Sequence, residues 1–139
     1  MSKSILFIVV GLILSLAGAL FAQEHKHGKD EKHKLGKKPI GDYTVSVIVI
    51  GEAEAGERVK FDIKLYDGKS DPKALRVWIG TEDGKGSTKV PGTKETTTYK
   101  GEIEVPKPMP AGGKLWVELE TESGVKSGSW DLEEHGHKH

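Results

Sequence analysis

Within residues 57–66, positions 58–65 alternate strictly between charged and apolar side chains, and this pattern constrains the fold more than any other in the chain. Side chains point alternately to the two faces of a β-strand, so the alternation predicts a strand with one buried and one wet face. An α-helix would scatter the same residues around its surface. A strand of this kind needs a second apolar layer to cover it. The apolar positions are Val59, Phe61, Ile63 and Leu65.

Further segments with the same period predict an all-β fold. They are residues 43–50, 75–79, 96–105, 114–121 and 125–132, with a short edge strand near residues 87–90. Turn residues recur every eight to twelve positions, and no helical spacing is found after the N-terminal region. We therefore expect a single antiparallel immunoglobulin-like β-sandwich of six to seven strands over residues 40–132. The first two strands are expected to pair as a hairpin. The expected common core contains Val59, Phe61, Ile63, Val117 and Leu119.

The N-terminal region has the layout of a secretory signal peptide. Residues 5–21 are almost wholly apolar, and the small residues Ala17, Ala19 and Ala22 close the run before polar Gln23. This predicts a signal peptide over residues 1–22 and a periplasmic or secreted protein. Two alternatives stay open: cleavage after Ala19, and an uncleaved membrane anchor, for which the run is about long enough.

Charge and cysteine content exclude several classes of function. The chain has 139 residues, with 21 basic and 21 acidic side chains, and removal of Lys3 with the signal leaves 20 basic residues. This balance gives no indication that the protein binds nucleic acid. Membrane contact is expected only through an uncleaved signal segment. The chain has no Cys, which excludes disulfides, thiolate catalysis and Cys-ligated zinc. Residues 40–132 also lack His, so a nucleophilic Ser would have no imidazole base there, and we expect no enzymatic activity.

The His residues lie in polar segments on either side of the predicted domain. Residues 23–39 predict a disordered, Lys-rich arm, and residues 133–139 a polar tail. One interpretation is that both tails serve only solubility. The other is metal binding, because neutral imidazole suits Cu(II), Ni(II) and Zn(II), and a spacing of two lets neighbouring rings reach one ion. The candidate ligands are His25, His27, His33, His135, His137 and His139.

Cleavage after Ala22 would create a second type of metal site. The mature chain would begin Gln23, Glu24, His25. A free amine, two amide nitrogens and the imidazole at position three form a square of four nitrogens, which suits Cu(II) or Ni(II) rather than tetrahedral zinc. Cyclisation of Gln23 or cleavage after Ala19 would remove this site.

The order of turns and strands resembles a family of small exported domains. Ala55, Gly56 and Glu57 open the central strand, residues 67–69 (Asp-Gly-Lys) follow it, and residues 110–112 (Pro-Ala-Gly) open a later one. This is similar to the YtkA-like and FixH-like immunoglobulin-like domains over about residues 43–132. Related CopC-like copper carriers hold His or Met ligands on the sandwich itself. Residues 40–132 here have only Met109, which argues against a copper site within the domain.

The positions of two tryptophans predict an alternative function. Trp78 and Trp116 fall on the parity opposite the Val and Leu of their strands, so we expect them on an outer sheet face. There they either cover a patch under residues 106–110 or dock a partner.

The leading hypothesis is an exported, non-enzymatic protein that binds or buffers divalent metal through its His tails. The alternative is a structural or protein-interaction module that docks on an envelope protein through a sheet face.

Overall fold

The computed structural model describes residues 31–132; residues 1–30 and 133–139 lie outside the described part. Within residues 31–132 the chain is all-β, with nine strands, and it contains no helix long and apolar enough to cross a membrane. The strands are β1 (Lys32–Ile40), β2 (Tyr43–Ile50), β3 (Arg58–Tyr66), β4 (Ala74–Gly80), β5 (Val90–Pro91), β6 (Thr93–Glu95), β7 (Thr98–Glu104), β8 (Lys114–Thr121) and β9 (Gly124–Trp130).

The strands form two antiparallel sheets. The five-stranded sheet has the order β1-β2-β3-β7-β6, and the four-stranded sheet has the order β5-β4-β8-β9. The predicted hairpin is confirmed, because β2 and β3 are antiparallel neighbours with Val47 opposite Ile63. The second sheet is built around the β4–β8 pair, in which Val77 lies opposite Val117.

Residues from both sheets belong to one hydrophobic core. Along β3, Val59, Phe61 and Ile63 are buried while the intervening Lys60 is exposed, which confirms the alternation expected from the sequence. Burial of apolar surface is the main favourable contribution to folding, and a chain without disulfides depends on it fully. The predicted common core is also confirmed: it includes Val59, Phe61, Ile63, Val117 and Leu119.

A glycine on β7 makes room for the aromatic ring at the centre of β3. Gly101 lies directly opposite Phe61. A Cβ atom at position 101 would lie 2.4 Å from Cζ of that ring, closer than any packed carbon contact. The close approach of Phe61 to the β7 backbone therefore requires glycine here.

The expectation of a disordered arm over residues 23–39 is wrong from Lys32 onward. Lys32–Ile40 is strand β1, which pairs along the whole of β2. A register shift between Lys34 and Gly36 interrupts the strand, and Gly36 adopts a φ of 106°. Such a bulge breaks the period of two, so the segment lacks the alternation that identifies a strand. The folded region therefore begins before residue 40, while residues 23–30 of the predicted arm lie outside the described part.

The described residues contain more strands than the six to seven expected. Besides β1, the additions are short: β6 has three exposed residues beside β7. The predicted edge strand near residues 87–90 corresponds to β5, which spans only Val90–Pro91 and pairs with β4. Strands this short form where the neighbouring strand has free backbone hydrogen-bonding groups. Their own sequences are too short to show an alternation of apolar and polar residues.

Candidate metal site beside strand β1

Three potential metal ligands meet where β1 begins. Glu31, His33 and Glu52 each offer one ligand atom, and these atoms lie within 4.8 Å of one another. We call these three residues the β1 cluster. Glu31 directly precedes β1, His33 lies within it, and Glu52 follows the end of β2. The cluster therefore depends on the pairing of β1 with β2.

Backbone hydrogen bonds fix the register that forms the β1 cluster. His33 lies opposite Val49, and the amide of Gly51 donates to the carbonyl of Glu31 at 2.9 Å. Glu31 and His33 are two residues apart, so an extended backbone directs them to the same face. Glu52 comes directly after Gly51 and so reaches the same point from the β2–β3 loop.

The β1 cluster is partly shielded from water. His33 and Glu52 are half-buried, whereas Glu31 is exposed. His33 is on the same face as Val49, which is almost fully buried in the core. The cluster thus lies at the rim of the core-facing side of the sheet, with one side open to solvent. Such a position leaves access for an ion, while the backbone at the start of β1 holds Glu31 and His33 in place.

The chemistry of the β1 cluster suits a divalent transition metal. One imidazole and two carboxylates are nitrogen and oxygen donors that bind zinc at about 2.0–2.2 Å. Ligand atoms around a tetrahedral ion then lie roughly 3.3–3.6 Å apart, so small side-chain rotations would bring the three donors onto one ion. Three protein ligands leave at least one position for water or for a further side chain.

The structure places one of the six sequence-predicted ligands. His33 is in a strand rather than in a tail, and Glu31 and Glu52 join it although neither was a sequence-based candidate. The predicted square site at Gln23, Glu24 and His25 lies outside the described residues and stays a prediction. The other predicted ligands outside the described part are His27, His135, His137 and His139.

The two tryptophans form a stacked pair that a loop partly covers. Trp78 and Trp116 lie directly opposite each other on β4 and β8, with ring centroids 6.0 Å apart and planes 9° apart. The Trp78 indole donates to the carbonyl of Thr81 at 2.8 Å, and the Lys89 ammonium lies 4.3 Å from its ring centroid. Trp78 is only 1% exposed. Thr81 and Lys89 of the loop at residues 81–89 supply these contacts, so the Trp78 ring is not available to stack on a ligand.

A charged network lies next to the tryptophan pair on the same sheet. Arg76 donates to Glu118 at 2.7 Å and to Glu120 at 2.8 Å, and the Lys89 ammonium lies 3.2 Å from the second oxygen of Glu118. Burial alone would raise the pKa of Glu118, but the hydrogen bonds from Arg76 and Lys89 outweigh it, so this pKa lies below its ordinary value. Hydrogen bonds to Glu120 and Glu118 raise the pKa of Arg76.

The Glu118 carboxylate should make folding stability depend on pH. Its pKa is lower in the folded than in the unfolded chain, so its stabilising contribution is complete above the unfolded pKa, about 4.3, and is lost as the pH falls through the folded pKa. Hydrogen bonds to charged groups contribute about 1.5–3 kcal/mol, so Glu118→Gln should be less stable by up to this amount near neutral pH. The difference from wild type should shrink on acidification. Urea unfolding at several pH values measures this, with Glu122→Gln, at an exposed turn, as the control. A pH-independent difference would contradict the assignment.

No protein-family model, curated protein or solved structure matches this chain. The β1 cluster is thus defined by the strand register and by the chemistry of its three side chains.

Proposed function

We propose that the protein is an exported, non-enzymatic binding protein that holds a divalent transition metal ion, Cu(II), Ni(II) or Zn(II), at the β1 cluster. The observation that carries this proposal is the convergence of His33 with Glu31 and Glu52 within 4.8 Å. Imidazole beside two carboxylates is a borderline donor set that suits these ions. The protein's role in this proposal is to bind or buffer metal outside the cytoplasm.

The other His residues would complete or extend the site. His27 precedes Glu31 by four residues, and an extended chain covers about 3.3–3.6 Å per residue, so His27 is within reach of the β1 cluster. His25 and the C-terminal residues would supply exchangeable ligands of lower affinity. This arrangement suits a buffer, in which further imidazoles add to a small fixed site. The C-terminal candidates are His135, His137 and His139.

We further infer that the two sheets pack face to face as an immunoglobulin-like sandwich. Support comes from the shared core, to which β3 contributes Phe61 and Ile63, and β8 contributes Val117 and Leu119. The antiparallel order of the strands, the two-sheet arrangement and the length of the domain agree with this class. In such a sandwich the β2–β3 loop and the start of β1 lie at one end, where the β1 cluster is found.

Zn(II) binding should depend on the β1 cluster. Zn(II) is the ion of choice for this test because the square site predicted at the mature N-terminus disfavours it. His33→Ala and Glu52→Gln should each weaken binding by at least about tenfold. Isothermal titration of the mature protein measures the affinity. Glu54→Gln is the matched control, because Glu54 is an exposed carboxylate in the same loop, and its affinity should equal that of wild type.

Bound zinc should also stabilise the fold, because it would link β1 to the β2–β3 loop. Free Zn(II) at one hundred times its Kd should add about 2.7 kcal/mol to the free energy of unfolding. The increase should fall to about 1.4 kcal/mol or less in His33→Ala, because its affinity for Zn(II) is at least about tenfold lower. Unchanged Zn(II) affinity in His33→Ala, with loss of binding in His137→Ala, would place the ion on the C-terminal tail and overturn the β1 cluster as the site.

A further inference from the structure

The outer face of the first three strands carries most of its charge as lysine. Across β1, β2 and β3, Lys32 and Lys60 flank Ile50, and Lys37 and Lys64 flank Ser46. Neighbouring strands are about 4.8 Å apart, so each flanking pair spans roughly 10 Å. Between these two rows, Ile48 of β2 lies opposite Lys34 of β1 on one side and opposite Asp62 of β3 on the other. We call the following five exposed residues the basic face: Lys32, Lys34, Lys37, Lys60 and Lys64.

The charges of the basic face are largely uncompensated within the described residues. Among residues 31–132 no ion pair involves a lysine of this face. Two carboxylates lie beside its rows: Glu102, opposite Lys60, pairs with Arg58 at 3.7 Å, and Asp62 lies 3.9 Å from Lys100. Lys37 instead lies 4.7 Å from the ring centroid of Tyr66. The formal net charge of the chain is zero, so the basic face reflects segregation of charge rather than a basic composition. Clustered like charges repel, which an anionic partner would relieve.

We propose that the basic face binds the surface of an anionic phospholipid membrane. The face combines five lysines with Ile48 and Ile50, two half-buried apolar side chains at its centre. Lysine stems can lie along such apolar surface while their ammonium groups reach phosphate. Each lysine near an anionic membrane contributes about 1 kcal/mol of attraction. Contact of lysines with headgroups and of isoleucines with the interface fits a lipid surface better than a purely charged polymer.

If the N-terminal apolar segment is retained as an anchor, the alternative to signal cleavage, the position of β1 in the chain also favours a membrane. The apolar segment at residues 5–22 ends shortly before β1, which begins at Lys32. The nine residues from 23 to 31 reach at most about 30 Å. β1 supplies Lys32, Lys34 and Lys37 to the basic face, so the part of the domain nearest the apolar segment is also the one with the most surface lysines. His33 lies on the opposite side of β1, so membrane contact leaves the β1 cluster on the other face.

Vesicle binding by the mature secreted protein tests this proposal. Vesicles of phosphatidylcholine and phosphatidylglycerol in equal parts should sediment the protein at low salt, and vesicles of phosphatidylcholine alone should not. Binding should weaken as salt screens the charges. The double variant Lys32→Glu with Lys34→Glu should bind at least about 30-fold more weakly, since two attractions of about 1 kcal/mol become repulsions. A matched double variant, Lys69→Glu with Lys85→Glu, changes exposed lysines outside the basic face and should lose less than about threefold.

Two results would overturn the proposal. One is equal loss of vesicle binding in both double variants, which would mean that only net charge matters. The other is failure to bind anionic vesicles while dextran sulfate is bound through the same lysines, which would assign the face to a soluble polyanion. His33→Ala should bind vesicles like wild type, so the result is independent of metal binding at the β1 cluster.

Discussion

A chain that begins at Ile40 should be less stable than one that begins at Glu31 by about 3–5 kcal/mol. Loss of β1 removes the packing of Leu35 on the core and leaves the edge of β2 without its ladder partner. It also removes the carbonyl of Gly36, to which the buried Trp130 indole donates at 3.0 Å. The lost hydrogen bond contributes about 0.5–1.5 kcal/mol, and the apolar surface that β1 no longer covers accounts for the rest at about 25 cal/mol per Å².

Urea unfolding of residues 31–132 and 40–132 measures this difference. A third protein, the mature chain, separates the effect of β1 from that of the remaining tails and should match residues 31–132 in stability. The loss is a large part of the roughly 5–15 kcal/mol by which a domain is stable. Equal midpoints for the two shortened chains would show that β1 contributes nothing to the fold.

Leu119→Ala should lower the free energy of unfolding by about 2–5 kcal/mol. Leu119 is 1% exposed and lies on β8 opposite Leu75 of β4 in the core. Truncation removes buried apolar contacts and leaves a cavity that the surrounding strands fill only in part. Val125→Ala is the matched control, because Val125 is 58% exposed on edge strand β9, and its loss should stay below about 1 kcal/mol. Urea unfolding of both variants decides the point: a Leu119→Ala protein as stable as Val125→Ala would contradict the core described above.

The predictable strands are those whose period of two is unbroken. In β3 and β8 the buried residues fall at every second position, from Val59 to Ile63 and from Leu115 to Leu119, and the sequence alternation matches this burial. β1 was not predicted because the bulge at Lys34–Gly36 shifts its register and because lysines occupy most of its outer positions. β6 has only exposed residues, so its sequence contains no sign of its pairing with β7.

The candidate site could be predicted only in part for a related reason. His33 stands out by residue type, since imidazole is uncommon and binds metal. Its partners Glu31 and Glu52 are acidic residues of a common type. Glu52 is far from the other two in the sequence and meets them only through the register of β1 on β2. Likewise the parity of Trp78 predicted the side of its strand, but not the loop whose Thr81 carbonyl accepts its indole hydrogen.

The contact between β1 and β9 has a consequence for association between copies of the protein. An exposed sheet edge is a template for strands of other chains, and proteins avoid aggregation by blocking it. On one side, the Lys38 ammonium donates to the Ser129 carbonyl of β9 at 2.5 Å, and Trp130 donates to β1. On the other, β5 has two residues, of which Pro91 offers no amide hydrogen, and β6 has three. Two of the four sheet edges in the described domain are therefore too short for long intermolecular pairing, and the side chains of Lys38 and Trp130 cover part of the longer edges at β1 and β9.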